Sequence, residues 1–427
     1  MKKAAILAAG DSTRMLPLSA NIPKHLLPIG GRPLIFQTLD RLREVGIKKT
    51  LIIYGYQGER LKEAIDAQDW GDMQIEYVQQ TERRGTAHAA GYAKDFAGDE
   101  TILLLYGDVI AGSEVIREVA RYHEKGKYDL TVSVFPVDNP SAYGIFEIEG
   151  RRAVGLIEKP TPKQSSSNLA NAGIYCVNSN LWDAIEKTKL SKRNEYEITD
   201  SIEMVMKKGN VGAYVIDSWW VDIGKPWDLL RANRNLLDEM KPSIEGDVEE
   251  YTTLKGTVVV KKGALVKNGV YIEGPVYIGE DSVIGPNCFI RAHSCFCKKI
   301  KIGNAVEIKN SIIMDETNVG HLSYVGDSII GHGVNFGAGT ITANLRHDNR
   351  DVKVTVKGKR VSSGRRKLGA IIGDGVKTGI GTCLSTGVVL HQGAKTGPGV
   401  IVNRDIQPHK LVLAEQPIRI IDLDSET

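Results

Sequence analysis

Cysteine is scarce in this chain of 427 residues, and the five present, Cys176, Cys288, Cys295, Cys297 and Cys383, fall into no zinc-ligand spacing and no disulfide framework. The one close pair, Cys295 and Cys297, reads as two thiols on a solvent-facing strand, because a structural metal site needs four ligands. Long apolar runs are also missing. No stretch reaches the ~20 residues that cross a bilayer, and no secretory h-region follows Met1-Lys2-Lys3. These absences predict a cytoplasmic protein with no membrane partner. Nor is there an excess of one charge: the net charge is +3, with basic residues scattered, which gives nucleic acid no footprint.

The chain is long enough for two cores, and it has two grammars. Up to about Met240, short apolar runs (Ala4 to Ala9, Thr50 to Gly55, Thr101 to Tyr106) alternate with amphipathic stretches (Leu34 to Val45, Thr86 to Phe96, Trp227 to Met240). Such alternation predicts an α/β, Rossmann-like domain with a mostly parallel sheet, its ligands at the carboxyl ends of the strands. Beyond Gly256, apolar residues recur every six positions: Ile278, Ile284, Ile290, Phe296, Ile302 and Ile308, then Val319 and Val325. After an interruption the step resumes through Ile372, Thr378, Leu384, Leu390, Thr396 and Val402. Glycines such as Gly279, Gly285 and Gly303 follow the apolar residue, where they would turn corners that a side chain would block. A six-residue step predicts a parallel β-helix, each strand sending one apolar side chain to the axis. The expected domains are 1–240, a linker over 241–255, the β-helix over 256–410, and a tail over 411–427.

The strand Ala4 to Ala9 runs into Gly10-Asp11-Ser12-Thr13-Arg14, followed by Pro23-Lys24-His25-Leu26-Leu27-Pro28. A loop of small residues at a strand end lets backbone N–H groups approach a phosphate. The loop is neither a P-loop nor a dinucleotide turn, since it lacks both endings. Taken singly, Asp108 reads as a loop cap, and Arg14, Lys24, Glu158 and Lys159 as solvated charges.

In order along the chain, Leu7-Ala8-Ala9-Gly10, Thr13-Arg14, Pro23-Lys24, Gln80 with Gly85-Thr86-Ala87, Tyr106-Gly107-Asp108, Glu158-Lys159-Pro160, Asn171-Ala172-Gly173 and Val221-Asp222-Ile223-Gly224 resemble the motifs of sugar-phosphate nucleotidyltransferases. The resemblance implies attack of a sugar-1-phosphate oxygen on the α-phosphorus of a nucleoside triphosphate. The nucleophile is already an anion, so the chemistry needs positioning and charge neutralisation rather than a base. It implies Arg14 and Lys24 as the phosphate clamp and Asp108 and Asp222 as Mg²⁺ ligands. It implies Leu7, Ala9, Gly10, Gln80, Gly85, Thr86, Gly107 and Asp108 around the nucleotide, and Gly144, Glu158, Lys159 and Asn171 around the sugar phosphate. Ser12 departs from the pattern, which commonly has a second glycine there.

In the repeat region, His321-Leu322-Ser323-Tyr324-Val325-Gly326-Asp327 is followed by Asn335-Phe336-Gly337-Ala338-Gly339-Thr340 and Asn344, with Arg291 and Glu307-Ile308-Lys309 upstream. With the first half, this segment is similar to the bifunctional glucosamine-1-phosphate acetyltransferase / N-acetylglucosamine-1-phosphate uridyltransferase family, of archaeal type. The resemblance implies a left-handed coil, a homotrimer with acetyl sites between subunits, and acetyl-CoA as co-substrate. An acetyl transfer needs a base, an oxyanion donor and a phosphate anchor. His321 suits the base, since imidazole titrates near neutral pH, with Asn335 or Glu307 orienting it or touching substrate. The Ala338 N–H suits the oxyanion, Arg291, Lys309 and Arg350 the sugar phosphate, and Tyr324 and Asn344 the sugar. His332, His347 and His391 read as surface residues.

Leu345 and Ile380 depart from the bacterial pattern, which has an aromatic and a serine at those positions. The basic segment from Arg346 to Leu368 interrupts the repeat as an arm or a hairpin. UTP and dTTP are not separable from these residues. Two other readings use the same chain: a monofunctional thymidylyl- or uridylyltransferase whose β-helix is scaffold, and a regulatory subunit without catalysis. The second would have lost its phosphate and metal residues, yet Arg14, Lys24, Asp108 and Asp222 are all present.

Overall fold

The computed structural model describes all residues except Tyr56, Pro162, Ser166, Gln416 and 422–427. Two compact units meet in sequence between Asn235 and Leu236.

In the first unit, Lys3–Ala8 lies between Lys49–Tyr54 and Ile102–Tyr106, parallel to both, and Gln74–Gln79 extends the parallel set. The three inner strands are apolar almost throughout because helices cover both faces, whereas Gln74–Gln79, at the end of the sheet, mixes polar and apolar residues. Ala4 and Ile6 pack into one apolar cluster and Ala5 into another, and Leu103 and Leu104 divide in the same way. Beyond this set the sheet is mixed. Leu169–Val177 enters antiparallel to Ile102–Tyr106, then Leu130–Pro136 and Val211–Val215 pair in parallel, with Arg152–Glu158 and Gly144–Glu149 antiparallel at the edge. The expected mostly parallel sheet therefore holds for the four strands that carry the nucleotide motifs. The expected helix Thr86 to Phe96 is two pieces, Thr86–Gly91 and Lys94–Ala97.

The second unit is a coil of two- to four-residue strands. From Ser243–Ile244 to Tyr324–Gly326, successive strands pass through three sheets in turn and each pairs in parallel with the third one after it; Ile329–Ile330 then pairs in parallel with Ile371–Ile372, beyond an inserted segment. Ile278, Ile284, Ile290, Phe296, Ile302 and Ile308 are buried in one apolar cluster that continues to Val402 and Ile406. Thr378 and Thr396 hold inward positions too, where their hydroxyls meet those of Thr340 and Thr382 at 2.8 Å. Glycine turns corners as expected at Gly285 and toward both ends of the coil, but not at Gly279 and Gly303. Over the middle of the coil most corners are turned by non-glycine residues with left-handed φ, among them Asp281, His293, Lys299 and Ala305. Gly279 and Gly303 are needed for space instead: a Cβ there would sit 2.2 Å from the Cys297 carbonyl and 1.8 Å from that of Gly320.

The segment 241–255, expected as a linker, carries the opening strands of the coil: Ser243–Ile244, Asp247–Val248 and Thr253–Lys255 each pair with the next turn. Leu411–Val412, expected in the tail, pairs with Lys395–Thr396. The six-residue step in fact runs back from Ile278 through Ile272, Val266 and Val260 to Leu254 and Val248, and Val412 stands six residues after Ile406; these residues pack against the core of the coil. Cys295 and Cys297 are buried, not solvent-facing, and their side chains meet each other. They flank the inward Phe296 on a strand that runs beside Ile312 and Ile313, so their outward face is apolar as well. The interruption after Asn344 is a two-stranded hairpin, Lys353–Val356 with Lys359–Ser362. It is tied to the coil by Arg360 donating to the Gly387 carbonyl at 3.3 Å.

Candidate active sites

The parallel strands of the first unit end at one edge, and the nucleotide motifs emerge there together. Leu7 stands beside Tyr106 in the ladder, and Gly107 donates its N–H to the Leu7 carbonyl at 2.9 Å. A side chain at Gly107 would overlap that carbonyl, so glycine brings the two loops into contact. Gln80 follows the neighbouring strand Gln74–Gln79, and its amide meets His88 at 2.9 Å. Gly85 holds φ 109°, and a Cβ there would lie 2.4 Å from the Tyr196 carbonyl. Thr86 accepts the Ile198 N–H at 2.9 Å. Gly10 faces open space, and Ala9 is buried.

Lys24 is buried, and its ammonium pairs with the Asp108 carboxylate. Burial raises the Asp108 pKa, but Lys24 outweighs it, with His25 and Arg14 adding to the effect, so the carboxyl lies below its ordinary value. Ser12 is not a passive substitute for glycine. Its hydroxyl accepts the Lys24 backbone N–H at 3.1 Å and its carbonyl accepts the Ser19 hydroxyl at 2.7 Å. Asp222 sits in the two-strand ladder Trp220–Asp222 with Val109–Ala111. Its carboxyl is pushed up to about 7 by burial first, then by Asp108 and Asp228. Arg14 and Asp222 both approach Gly224. Sequence reasoning did not single out Asp228, which accepts the N–H groups of Gly224 and Lys225 at 3.2 and 2.8 Å. Among the described residues no three His, Cys, Asp or Glu side chains form a metal cluster. An ion on Asp108 and Asp222 would therefore complete its shell with phosphate and water oxygens, the habit of Mg²⁺.

The sugar-phosphate candidates lie beside this edge. Gly144 pairs with Glu158 across the ladder, and a Cβ on Gly144 would come within 2.8 Å of the Glu158 carboxylate. Burial raises the Glu158 pKa against the pull of Arg193, at 3.2 Å, and Lys159, at 3.8 Å. Arg193 was missed because no motif surrounds it. Asn171 accepts from the Tyr175 hydroxyl at 2.8 Å and the Gly173 N–H at 3.2 Å.

In the coil, the acetyl-acceptor candidates gather along one corner. Arg291, Lys309 and Gly326 succeed one another rung by rung, and Arg291 pairs with Glu307 at 3.0 Å. Lys309 reaches Asp327 at 3.3 Å. Asn344 donates to Asp327 at 2.6 Å and to the Tyr324 hydroxyl at 3.1 Å. The Tyr324 pKa is raised by burial, then by Asp327 and Glu307. His321 occupies the preceding corner, exposed, and its carbonyl accepts the Gly339 N–H, one residue past Ala338 on the next rung.

Not every candidate joins this group. Among the described residues neither Asn335 nor Glu307 bonds the His321 ring. Glu307 is taken by Arg291, and Asn335 lies in a different sheet, between Asn318 and Lys377. Arg350 is exposed in the inserted segment, its N–H donating to Asp348 at 3.2 Å. Asp327 and Asn310 were not singled out. Their signal was a shortened step, five residues instead of six, from Ile308 to Ile313 and again from Val325 to Ile330.

The nucleotidyl transferase family matches residues 3–239, and the family described as the GMPPB C-terminal domain matches 272–420. The bifunctional protein GlmU of Methanocaldococcus jannaschii is 40% identical over 410 residues, 96% of this chain and 97% of that protein. The bifunctional sugar-1-phosphate nucleotidylyltransferase/acetyltransferase of Sulfurisphaera tokodaii is 41% identical over 412 residues, 95% and 98% of the two chains. Among solved structures, a UDP-glucose pyrophosphorylase complexed with UDP-glucose matches with a TM-score of 0.52 and 25% identity, covering 56% of this chain and 100% of that one. A putative glucose-1-phosphate thymidylyltransferase from Bacillus anthracis matches with a TM-score of 0.51 and 31% identity, covering 56% and 97%. No helix among the described residues is long and apolar enough to cross a membrane. With relatives aligned along nearly its full length and across both halves, the chain belongs to the bifunctional GlmU family, and it is a nucleotidyltransferase and acetyltransferase.

Proposed function

We propose that this enzyme acetylates glucosamine-1-phosphate from acetyl-CoA and then joins the product to a uridylyl group from UTP, releasing pyrophosphate and UDP-N-acetylglucosamine. The observation that carries the first-unit reading is the meeting of Lys24, Arg14, Asp108 and Asp222 at one strand edge.

In the nucleotidyl site, a sugar-phosphate oxygen attacks the α-phosphorus in line and pyrophosphate departs. Arg14 and Lys24 neutralise the charge that builds on the equatorial oxygens. The backbone from Leu7 to Gly10, with Gly107, lines the phosphates. Gln80, Gly85 and Thr86 read the base, and Gly144, Glu158, Lys159 and Asn171 hold the sugar phosphate. Asp108 and Asp222 would hold Mg²⁺, which supplies Lewis-acid stabilisation of the phosphates. A buried carboxyl pushed up to about 7 beside two other aspartates is a place where a cation relieves repulsion.

The coil is a left-handed parallel β-helix in this reading. His321 takes the proton of the acceptor amine as its nitrogen attacks the thioester carbonyl, and the coenzyme leaves as thiolate. The Ala338 N–H donates to the oxyanion. Arg291, Lys309 and Arg350 anchor the phosphate, and Tyr324 and Asn344 hold the sugar. The place of Asn335 in a separate sheet suits a homotrimer, in which a neighbouring copy supplies it to the site.

Acetyl-CoA, glucosamine-1-phosphate, UTP and Mg²⁺ incubated with the enzyme should yield UDP-N-acetylglucosamine by HPLC, and exchange of dTTP for UTP should settle base choice. His321→Ala should lose thiol release while still consuming N-acetylglucosamine-1-phosphate. Retained acetylation in that variant would remove His321 from its role.

A further inference from the structure

We infer that Asp327 is the positioning residue of the acetyl-acceptor subsite, turning the Asn344 amide so that its oxygen faces the acceptor while steadying the Lys309 ammonium beside it. The inference rests on the acetyltransferase reading of this corner.

Asp327 is 4% exposed. One carboxylate oxygen accepts from the Asn310 amide at 2.6 Å; the other accepts from Asn344 at 2.6 Å and Lys309 at 3.3 Å. An ionised carboxylate only accepts, so it dictates which way each amide points. The Asn344 nitrogen spends its second N–H on the Tyr324 hydroxyl at 3.1 Å. The Asn344 oxygen has no partner among the described residues, and the side chain is only partly buried. It is left as an acceptor, suited to an amine or hydroxyl and repelled by phosphate oxygens. Lys309, held at the same carboxylate, keeps further N–H donors for an anion.

The backbone is shaped for this arrangement. Asn310 and Asp327 occupy the shortened corners with φ of 45° and 50°, a conformation that Asn and Asp tolerate better than most side chains. A Cβ on Gly326 would lie 2.4 Å from the Tyr324 hydroxyl oxygen and 2.7 Å from the Asn344 nitrogen, so glycine leaves room for both. The corner thus presents a cation for the phosphate end of an amino-sugar phosphate and a fixed acceptor for its N–H or O–H end.

Asp327→Asn in the full chain tests this through steady-state acetylation, with nucleotidyl transfer as the control for folding. We expect acetylation kcat/KM to fall about 10²-fold, the loss a misplaced contact produces, through a raised KM for glucosamine-1-phosphate. The KM for acetyl-CoA and nucleotidyl transfer should keep their wild-type values. Asn310→Ala, which leaves the carboxylate but loosens it, should raise the acceptor KM severalfold and serves where the first variant does not fold. The exchange Asp327→Asn with Asn344→Asp restores a hydrogen bond of reversed sense, and it should recover thermal stability without activity. Recovery of acetylation by the exchange, or an unaltered acceptor KM in both single variants, overturns the assignment. A wild-type enzyme that releases no thiol overturns the acetyltransferase reading itself, a result distinct from either.

Discussion

Asp222 stands across a two-strand ladder from Val109, next to Asp108, and the Ile223 N–H donates to the Asp108 carbonyl at 2.8 Å. The backbone therefore fixes the spacing of the two carboxylates before any ligand arrives. Lys24 serves Asp108, whereas Asp222 is pushed up to about 7 by burial, Asp108 and Asp228.

Asp222→Asn should lower nucleotidyl transfer by about 10²–10³-fold, the scale of removing one preorganised electrostatic group. Acetylation should be unchanged. Without Mg²⁺ the variant should melt no lower than wild type, because a repelled charge is gone. Adding Mg²⁺ with UTP should raise the wild-type Tm by more than that of the variant. Equal activity of variant and wild type would refute Asp222 as a ligand.

Burial, then the charge of Lys24, lowers the His25 pKa to about 3, and its buried Nδ1 has no hydrogen-bond partner among the described residues. The unfolded chain takes up this proton near 6.5. Between pH 3 and 6.5 the unfolded state binds more protons, so stability rises with pH and is lost on acidification through that window. His25→Leu removes the titration. Its Tm should fall less than that of wild type between pH 7 and pH 5 in a thermal-shift series; equal slopes would exclude His25 as a source of acid sensitivity.

The sequence carried the two cores farther than it carried the sites. A six-residue step and strand-helix alternation are repeated signals, so single departures do not hide them. The carboxyl-edge motifs were legible because Gly85, Gly107 and Asp108 sit where the backbone itself is constrained. Arg193 and Asp327 act through contacts with distant residues such as Glu158 and Lys309; Ser12 was marked only as a departure from the motif, and Asp228 caps the nearby Gly224 and Lys225 N–H groups outside any motif block. Only the shortened steps before Ile313 and Ile330 hinted at the Asp327 corner. The buried pair Cys295 and Cys297 was misread because alternation predicts an outward side chain but not whether that face is covered.

Gly85→Ala tests the nucleotide loop. Its φ of 109° disfavours an L-residue, and the new methyl would meet the Tyr196 carbonyl at 2.4 Å. Strain of this kind costs about 1–3 kcal/mol. The Tm should drop, and the nucleotide KM should rise by more than the sugar-phosphate KM. A wild-type nucleotide KM would show that this loop does not shape the base site.

Ser12 offers the sharpest test of how the phosphate loop is held. Its hydroxyl accepts the Lys24 N–H, and its carbonyl accepts the Met15 N–H at 2.9 Å and the Ser19 hydroxyl. One residue thus ties the start of the loop to the clamp lysine. Ser12→Ala keeps the backbone bonds and deletes only the side-chain acceptor, leaving a largely buried Lys24 N–H to find water. A bond of this type contributes about 1 kcal/mol, which equals a severalfold change in rate when it is felt at the reacting phosphate. The nucleotidyl kcat should fall severalfold with little change in Tm. Ser12→Thr, which retains the hydroxyl, should restore most of the rate. If alanine and threonine behave alike, the loop is held by its backbone and the Ser12 hydroxyl has no part in placing Lys24.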